Sequence, residues 1–471
     1  MGEKYHIPIK AVPPRFKPVG KGTVLDWGEG CLRCTRCVKE TCPYEAFRQR
    51  RFDDHSLTDS IDSLCKNCFR CVQGCPRELV TKRVNPEYQR LGDSYWTKEI
   101  ITTTWYQAET GRIPVSGAGY GGPYAGPGFD SMWTDMSEIV RPTRDGIHGR
   151  EYISTAVDLG RKPLFLSFGP QGALTMPVFP LLTLPLPVLF TEPTVGVGKP
   201  LLRRIMAAAA QVLDTVVIIP RDGVSEDLQP YYRHVVPQYD PQTLWLDDPL
   251  LPAVRLIELW DYPHITDDIE RLKRRYPELL VAVKFPATGQ AAGRAVALAS
   301  AGVEILHLNA DNHGQGFAEV QQLHLKDLIR QLHLELVAQA LRDAVTVLAS
   351  GGIALAEHVA KSIICGADAV AVDLPLLVAL ECRLCAQCQE DLCPVELASM
   401  PMRRGQQRLV NLMGAWNNQL LEVLGAMGLR EVRRLRGEVG RAMFFAELEK
   451  EIFAPLFAVP PGAAGGERDP N

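Results

Sequence analysis

The chain has 471 residues, and 51 lysines and arginines against 55 aspartates and glutamates leave a net charge of −4. With both signs interspersed and no basic block, neither a nucleic acid nor an anionic membrane surface is an expected partner. The length accommodates two or three domains with a large core.

The N-terminal MGEKYHIPIK lacks the apolar core of a secretion signal, so a cytoplasmic, reducing location is expected. Residues 1–85 then carry two cysteine runs, each closed by proline. The first is Cys31, Cys34, Cys37 and Cys42 before Pro43, and the second is Cys65, Cys68, Cys71 and Cys75 before Pro76. Soft thiolates at C-x2-C-x2-C-x3/4-C-P spacing are ligands for 4Fe–4S clusters. Zinc usually takes two CxxC pairs set further apart, often with histidine, and disulfides need an oxidising compartment. In a two-cluster ferredoxin-like domain the fourth cysteine of each run crosses to the other cluster. That pairs Cys31, Cys34 and Cys37 with Cys75, and Cys65, Cys68 and Cys71 with Cys42. So small a core would be held together by its metals.

Residues 86–150 read as a Gly/Pro-rich connector. Within it, Gly117-Ala-Gly119-Tyr-Gly121-Gly122 formally matches the dinucleotide fingerprint. Pro123 follows at once, where that motif needs a helix, so a turn-rich loop is expected instead.

Residues 151–395 alternate apolar runs (PLFLSF, LPVLF, DTVVIIP, LLVAVKF, VEILHLN, AVTVLAS, ADAVAVD) with amphipathic segments. Prolines at 163, 170, 177, 180, 185 and 187 break the most apolar stretch, which excludes a membrane-spanning helix there. Repeated βα units predict an α/β fold, a (β/α)8 TIM barrel. Ser350-Gly351-Gly352-Ile353 ends one strand, and Gly366-Ala367-Asp368 follows fifteen residues on. Glycine turns near the seventh and eighth strands suit a phosphate site. Lys284 closes the strand LLVAVK and is expected in the barrel mouth, where a cation would stabilise a reduced flavin. Cys365, in an apolar stretch, is expected to be a core residue. The barrel ends in a third run, Cys382, Cys385, Cys388 and Cys393 before Pro394. Residues 396–471 read as a helical region with a disordered tail.

The phrases SGGI, GADAV and VAVKF and the cysteines after the barrel resemble the FMN-binding synthase domain of the glutamate synthase family. An N-terminal two-cluster domain ahead of such a barrel is similar to the short, archaeal-type members. The resemblance implies FMN, with its phosphate on Ser350, Gly351, Gly352, Gly366 and Ala367 and its ring against Lys284. Gly172-Ala173-Leu174-Thr175 resembles the family's Gly-Ala-Leu-Ser, where backbone follows the flavin after the first strand. The family binds a 3Fe–4S cluster through C-x5-C-x4-C, matched by Cys382, Cys388 and Cys393. Cys385 is additional, so a 4Fe–4S cluster is expected there, with 3Fe–4S as the alternative.

Departures from the family accompany the likeness. The family's glutaminase domain with its nucleophilic cysteine is missing, so ammonia is expected from solution or a separate glutaminase subunit. The usual Gly-Thr after the eighth strand is Asp373-Leu374, and the loop after the sixth reads Asp311-Asn312-His313-Gly314-Gln315-Gly316. His313 is a candidate proton donor there. Arg144, Arg150 and Arg221 are candidate partners for a dicarboxylate substrate. Two functions follow. One is reductive amination of 2-oxoglutarate to glutamate by an iron–sulfur flavoprotein. The other is an electron-transfer subunit of a larger redox complex. Either expects a redox partner, a ferredoxin or an NAD(P)H-oxidising flavoprotein subunit, and an oligomer.

Overall fold

Apolar runs of four to seven residues, too short for core helices and rich in valine, isoleucine and leucine, fold as buried strands. In the computed structural model eight of them close a parallel barrel. The structure describes residues 5–16, 19, 22–27, 31, 34, 36–46, 65, 68–113, 126, 128–134, 153–163, 165–176, 179–196, 198–385, 387–390 and 393–445. The 117–122 glycine phrase, Arg144, Arg150 and the C-terminal tail lie outside them.

Ahead of the barrel, β1 (Gly22–Trp27) pairs antiparallel with β2 (Val80–Val84). Two single-turn helices, α1 (Arg36–Lys39) and α2 (Arg70–Gln73), pack against each other beside this pair. Residues 5–12 do not join this unit. Ile7 is buried in the main core, and Lys10 is bonded in both directions to the buried Asn411 side chain.

The connector is more helical than its composition suggests. It contains α3 (Pro86–Gln89) and α4 (Lys98–Thr110) before β3 (Met132–Thr134). Thr97 caps α4 by accepting the Ile100 N–H, and Gly111 ends it at φ +66. Ile100, Ile101, Thr104, Gln107 and Ala108 form the buried face of α4.

A hairpin of β4 (Val157–Leu159) and β5 (Leu182–Leu184) covers the N-terminal end of the barrel. There Gly160 N–H donates to Thr346 Oγ1, and Arg161 donates to the carbonyls of Ala299 and Val303. The sequence PLFLSF, expected as the first barrel strand, instead enters an arm outside the barrel. Phe168 bridges Leu174 in it, and Phe165 and Phe168 are 76% and 61% exposed.

The barrel strands are β6 (Val188–Thr191), β7 (Val217–Pro220), β8 (Val235–Tyr239), β9 (Leu256–Trp260), β10 (Leu280–Pro286), β11 (Ile305–Asn309), β12 (Thr346–Ser350) and β13 (Ala369–Val372). They pair in chain order, and β13 closes on β6 through Val370 and Val188. β8 and β9 were not among the expected strands. Proline in VVPQY and the glutamate and tryptophan of LIELW obscure their apolar pattern. Helices α5 (Lys199–Leu213), α6 (Ile265–Arg275), α7 (Ala291–Ser300), α8 (Leu325–Ala338) and α9 (Ala356–Cys365) lie between strands, and α10 (Leu374–Ala379) follows β13.

After the third cysteine run, α11 (Met402–Ala426) packs on α4, α5 and α9. Ala442–Phe444, expected as helix, is instead a strand paired antiparallel with β3. Among the described residues no helix is long and apolar enough to cross a membrane.

Candidate active site

In a parallel barrel the side chains at alternate positions of each strand point inward, so polar residues spaced by two meet at its axis. Here Gln238 on β8, Glu258 on β9, His307 and Asn309 on β11 and Ser350 on β12 form one buried chain. Gln238 Nε2 donates to Glu258 Oε1 at 2.6 Å, and His307 Nδ1 lies 2.5 Å from Glu258 Oε2. His307 Nε2 lies 2.8 Å from Ser350 Oγ, which is 2.9 Å from Asn309 Oδ1. The single serine proton serves one of these at a time. Burial pushes the Glu258 carboxyl up, but His307, Lys284 and Gln238 outweigh it and hold it below the ordinary value. Burial keeps His307 neutral, with Nδ1–H donating to the Glu258 carboxylate. With Glu258 and His307 at 0% exposure and Ser350 at 3%, this chain orients the strand ends rather than meeting a substrate.

Lys284 lies on β10 between them in register, opposite His307 on one side and Trp260 on the other. It is 7% exposed, and its Nζ sits 4.8 Å from the centre of the Trp260 ring. It stands two residues before the C-terminal end of β10, and its charge acts on Glu258, His307 and Asp373.

Ser350, Gly351 and Gly352 also reach the mouth, but Ser350 turns its hydroxyl inward to His307. Gly351 and Gly352 have φ +104 and +63, and a Cβ on either would lie 2.4–2.6 Å from backbone of residues 310–314. Only glycine fits both demands. Among the described residues the N–H groups of Gly351 and Gly352 donate to no partner.

Gly366 and Ala367 are at the other end of the barrel. They precede β13, and their N–H groups already donate to the carbonyls of Ser362 and Ile363 as the end of α9. Arg342 donates to the Gly366 carbonyl there. The expected phosphate role of Gly366 and Ala367 therefore fails on position. Beyond β13 stands Asp373, which caps α10 by accepting the Leu374 N–H at 2.6 Å. Burial pushes its carboxyl up, opposed by that N–H and by Lys284. Gly172 and Ala173 lie on the exposed arm, ahead of the first barrel strand rather than after it.

The third cysteine run lies against the mouth. Cys382, Cys385, Cys388 and Cys393 line one cavity of about 210 Å³, together with Gly196, Asn312 and His313. Burial, reinforced by the other three thiols, pushes Cys382 up to about 12. A metal's positive charge would be needed to hold it as a thiolate at neutral pH. His313 stands on the rim of this cavity, with Nε2 2.9 Å from Asp93 Oδ2 and its ring 46% exposed.

In the N-terminal unit, Cys42 from the first run lines one small pocket with Cys65, Cys68 and Cys71. Lys82 Nζ lies 2.7 Å from Cys65 Sγ. Cys37 and Cys71 are buried together against Val80, with Cys75 beside them. Cys365 is buried in the core as expected. Arg221 is committed elsewhere, paired with the buried Asp248.

Behind the Gly351–Gly352 turn, Tyr95 donates to the Gly352 carbonyl at 2.6 Å and lies 3.2 Å from His324 Nε2. His324 caps α8, its Nδ1 accepting the Lys326 N–H. Nε2 thus carries the single ring proton. Burial, then His358 and Lys326, hold His324 down to about 3. Glu258, His307 and Asn309 went unrecognised in the sequence. The available signal was their spacing, a polar residue two places from Trp260 on LIELW and two polar residues two apart on ILHLN.

Residues 250–430 match the family model described as the conserved region in glutamate synthase. The archaeal glutamate synthase [NADPH] of Archaeoglobus fulgidus is 25% identical over 86% of this chain and 91% of its own. The archaeal-type enzyme of Dehalococcoides mccartyi is 23% identical over 86% and 92%. A solved flavocytochrome b2 variant with pyruvate bound aligns over 71% of this chain and 90% of its own, at 14% identity and a TM-score of 0.41. That likeness is too distant to add to the barrel topology itself. In its conserved region and in relatives spanning most of its length, the chain is similar to the glutamate synthase family.

Proposed function

We propose that this protein is an iron–sulfur flavoprotein of the glutamate synthase type, which reductively aminates 2-oxoglutarate with ammonia supplied from outside the chain. The observation that carries the reading is the four-cysteine cavity bordered by the barrel-mouth residues Gly196, Asn312 and His313. It sets a metal-ligating pocket against the place where barrel enzymes do their chemistry. Four thiols on one cavity suit a 4Fe–4S cluster better than 3Fe–4S. Cys42 among Cys65, Cys68 and Cys71 supports the crossed ligand sets of a two-cluster domain.

The mouth fits FMN at two points. Lys284 supplies a cation for the ring, and the unengaged N–H groups of Gly351 and Gly352 supply donors for the phosphate. When bound, the clusters supply one-electron transfer and FMN supplies the hydride that turns the imine of 2-oxoglutarate and ammonia into glutamate. Glu258 and Lys284 hold their charges in fixed positions, the neutral His307 donating to Glu258, so the mouth needs little reorganisation as charge develops. Trp260 shields Lys284 from water on one face. Electrons come from a partner, a ferredoxin or an NAD(P)H-oxidising flavoprotein, consistent with the [NADPH] in the relatives' names.

One observation favours a second reading, an electron-transfer subunit without synthase activity. Asp373 puts a carboxyl where the strand-eight end would face the phosphate, and Arg221 is already paired. The deciding experiment reduces the cluster- and flavin-loaded protein anaerobically, then adds 2-oxoglutarate and ammonium. Flavin reoxidation with stoichiometric glutamate is expected, and Lys284→Ala should slow it. A flavin that stays reduced in fully loaded protein would refute the synthase and leave the electron-transfer reading.

A further inference from the structure

We infer that Arg15 is a positioning residue for the third cysteine run: from the N-terminal segment it holds both ends of the loop 381–396 and so governs how long its cluster is kept. The inference rests on the reading of that run as a cluster site. Glu381 stands directly before Cys382, and Val395 and Glu396 follow Cys393 and Pro394. Arg15 bonds to all three. Its backbone N–H and Nε donate to the two Glu381 carboxylate oxygens at 3.0 and 2.8 Å, and Nη2 donates to the Val395 carbonyl at 2.5 Å. Nη1 reaches the Glu396 carbonyl at 3.5 Å.

The segment is built to deliver that side chain. Pro13 and Pro14 stiffen the backbone just before it. The Val12 N–H donates to the Glu109 carbonyl at 2.8 Å, and the Val12 and Pro13 carbonyls accept from Arg408 and Arg404 of α11. The groups that receive Arg15 sit on unusual backbone. Glu381 and Glu396 have φ +77 and +43, left-handed values that a glutamate keeps only under outside constraint. The ligand loop is thus bent sharply at the two places where Arg15 grips it.

A guanidinium can make this tie and an ammonium cannot. Joining a carboxylate to two carbonyls takes a planar fork of donors, whereas lysine carries a point charge on a flexible stem. Charge alone is not what the loop needs from Arg15. Arg404 and Arg408 lie 3.5 and 3.6 Å from Glu381 Oε1 and compensate it already. What Arg15 adds is the link from Glu381 to Val395, across all four cysteines. With its ends tied, the loop gains less conformational freedom when iron leaves, which favours the loaded state.

The test uses anaerobically purified, cluster-loaded protein. The electron paramagnetic resonance signal lost or changed in Cys388→Ala marks the third cluster, and its decay is followed while a ferrous chelator draws off iron. Arg15→Lys keeps the charge and loses the fork, so the marked signal should decay about tenfold faster than in the natural protein, as for other partners behind a metal's ligands. The remaining iron–sulfur signals should decay at the natural rate. If Arg15→Lys purifies without its N-terminal clusters, Arg15→Gln carries the same comparison. Equal decay of the marked signal in variant and natural protein, or faster decay of every signal alike, would overturn the inference and leave the cluster reading standing. A Cys388→Ala protein with natural iron content and spectrum would instead show that the run holds no cluster, and both would fall together.

Discussion

Acid should loosen this protein through His324. In the fold its ring is 5% exposed, Nδ1 accepts the Lys326 N–H, and Nε2–H faces Tyr95. A second proton on Nδ1 would set N–H against N–H, which agrees with a folded value of about 3. The unfolded chain titrates this residue near its ordinary value, about 6.5. Because the folded value is the lower one, the unfolded state binds more protons between pH 6.5 and 3. Stability therefore rises with pH across that window and is lost as pH falls. At pH 5 the gap below 6.5 is about 1.5 units, so His324 alone accounts for about 2 kcal/mol of lost stability relative to pH 8. His333, held down to about 4 by burial and then by Arg342, acts in the same direction but is more open to solvent. The assay is urea unfolding followed by tryptophan fluorescence at pH 8 and pH 5, on the natural protein and on His324→Asn. Asparagine keeps an acceptor for the helix cap without titrating. The variant should be weaker at pH 8, having lost the Tyr95 contact, but its drop on going to pH 5 should be smaller by about 2 kcal/mol. Equal drops in the two proteins would refute the argument.

Three further outcomes are expected. Cys385→Ser should lower the iron content and bring up a paramagnetic signal in the oxidised protein; unchanged iron and a silent spectrum would make Cys385 a bystander. Glu381→Ala leaves Arg15, Arg404 and the 1%-exposed Arg408 without their shared carboxylate and should cost ~3–5 kcal/mol in urea unfolding, with a loss under ~1 kcal/mol contradicting it. Asp373→Asn should tighten FMN binding about tenfold, roughly 1.4 kcal/mol, by removing a negative charge near the phosphate; titration of flavin fluorescence showing equal or weaker binding would argue against FMN phosphate at that end.

The barrel was legible because its buried strands read as continuous apolar runs, and the cysteine spacing is what points to the proposed iron–sulfur chemistry. What stayed hidden was hidden for physical reasons. PLFLSF is as apolar as any barrel strand, yet β6 and β13 pair directly and leave it no place in the ring. GADAV has the composition of a phosphate turn, but only the topology tells that it opens β13 rather than closing it. Glu258 and His307 look like surface residues until the barrel brings β9 and β11 to either side of Lys284.

The place of Cys42 beside Cys65, Cys68 and Cys71 also bears on which changes of length the chain can tolerate. Tying Cys42 to Cys65 closes a loop of 65 − 42 = 23 residues around the ligand pocket. The entropy of loop closure grows only logarithmically with length, so doubling that length would cost only about 0.6 kcal/mol. Inserting one residue inside C-x2-C, by contrast, would move a thiol out of the proposed ligand set altogether. Variation in length should therefore collect between Pro43 and Leu64, making that stretch the natural place to graft a tag or an electrode-binding peptide without disturbing the ligand set.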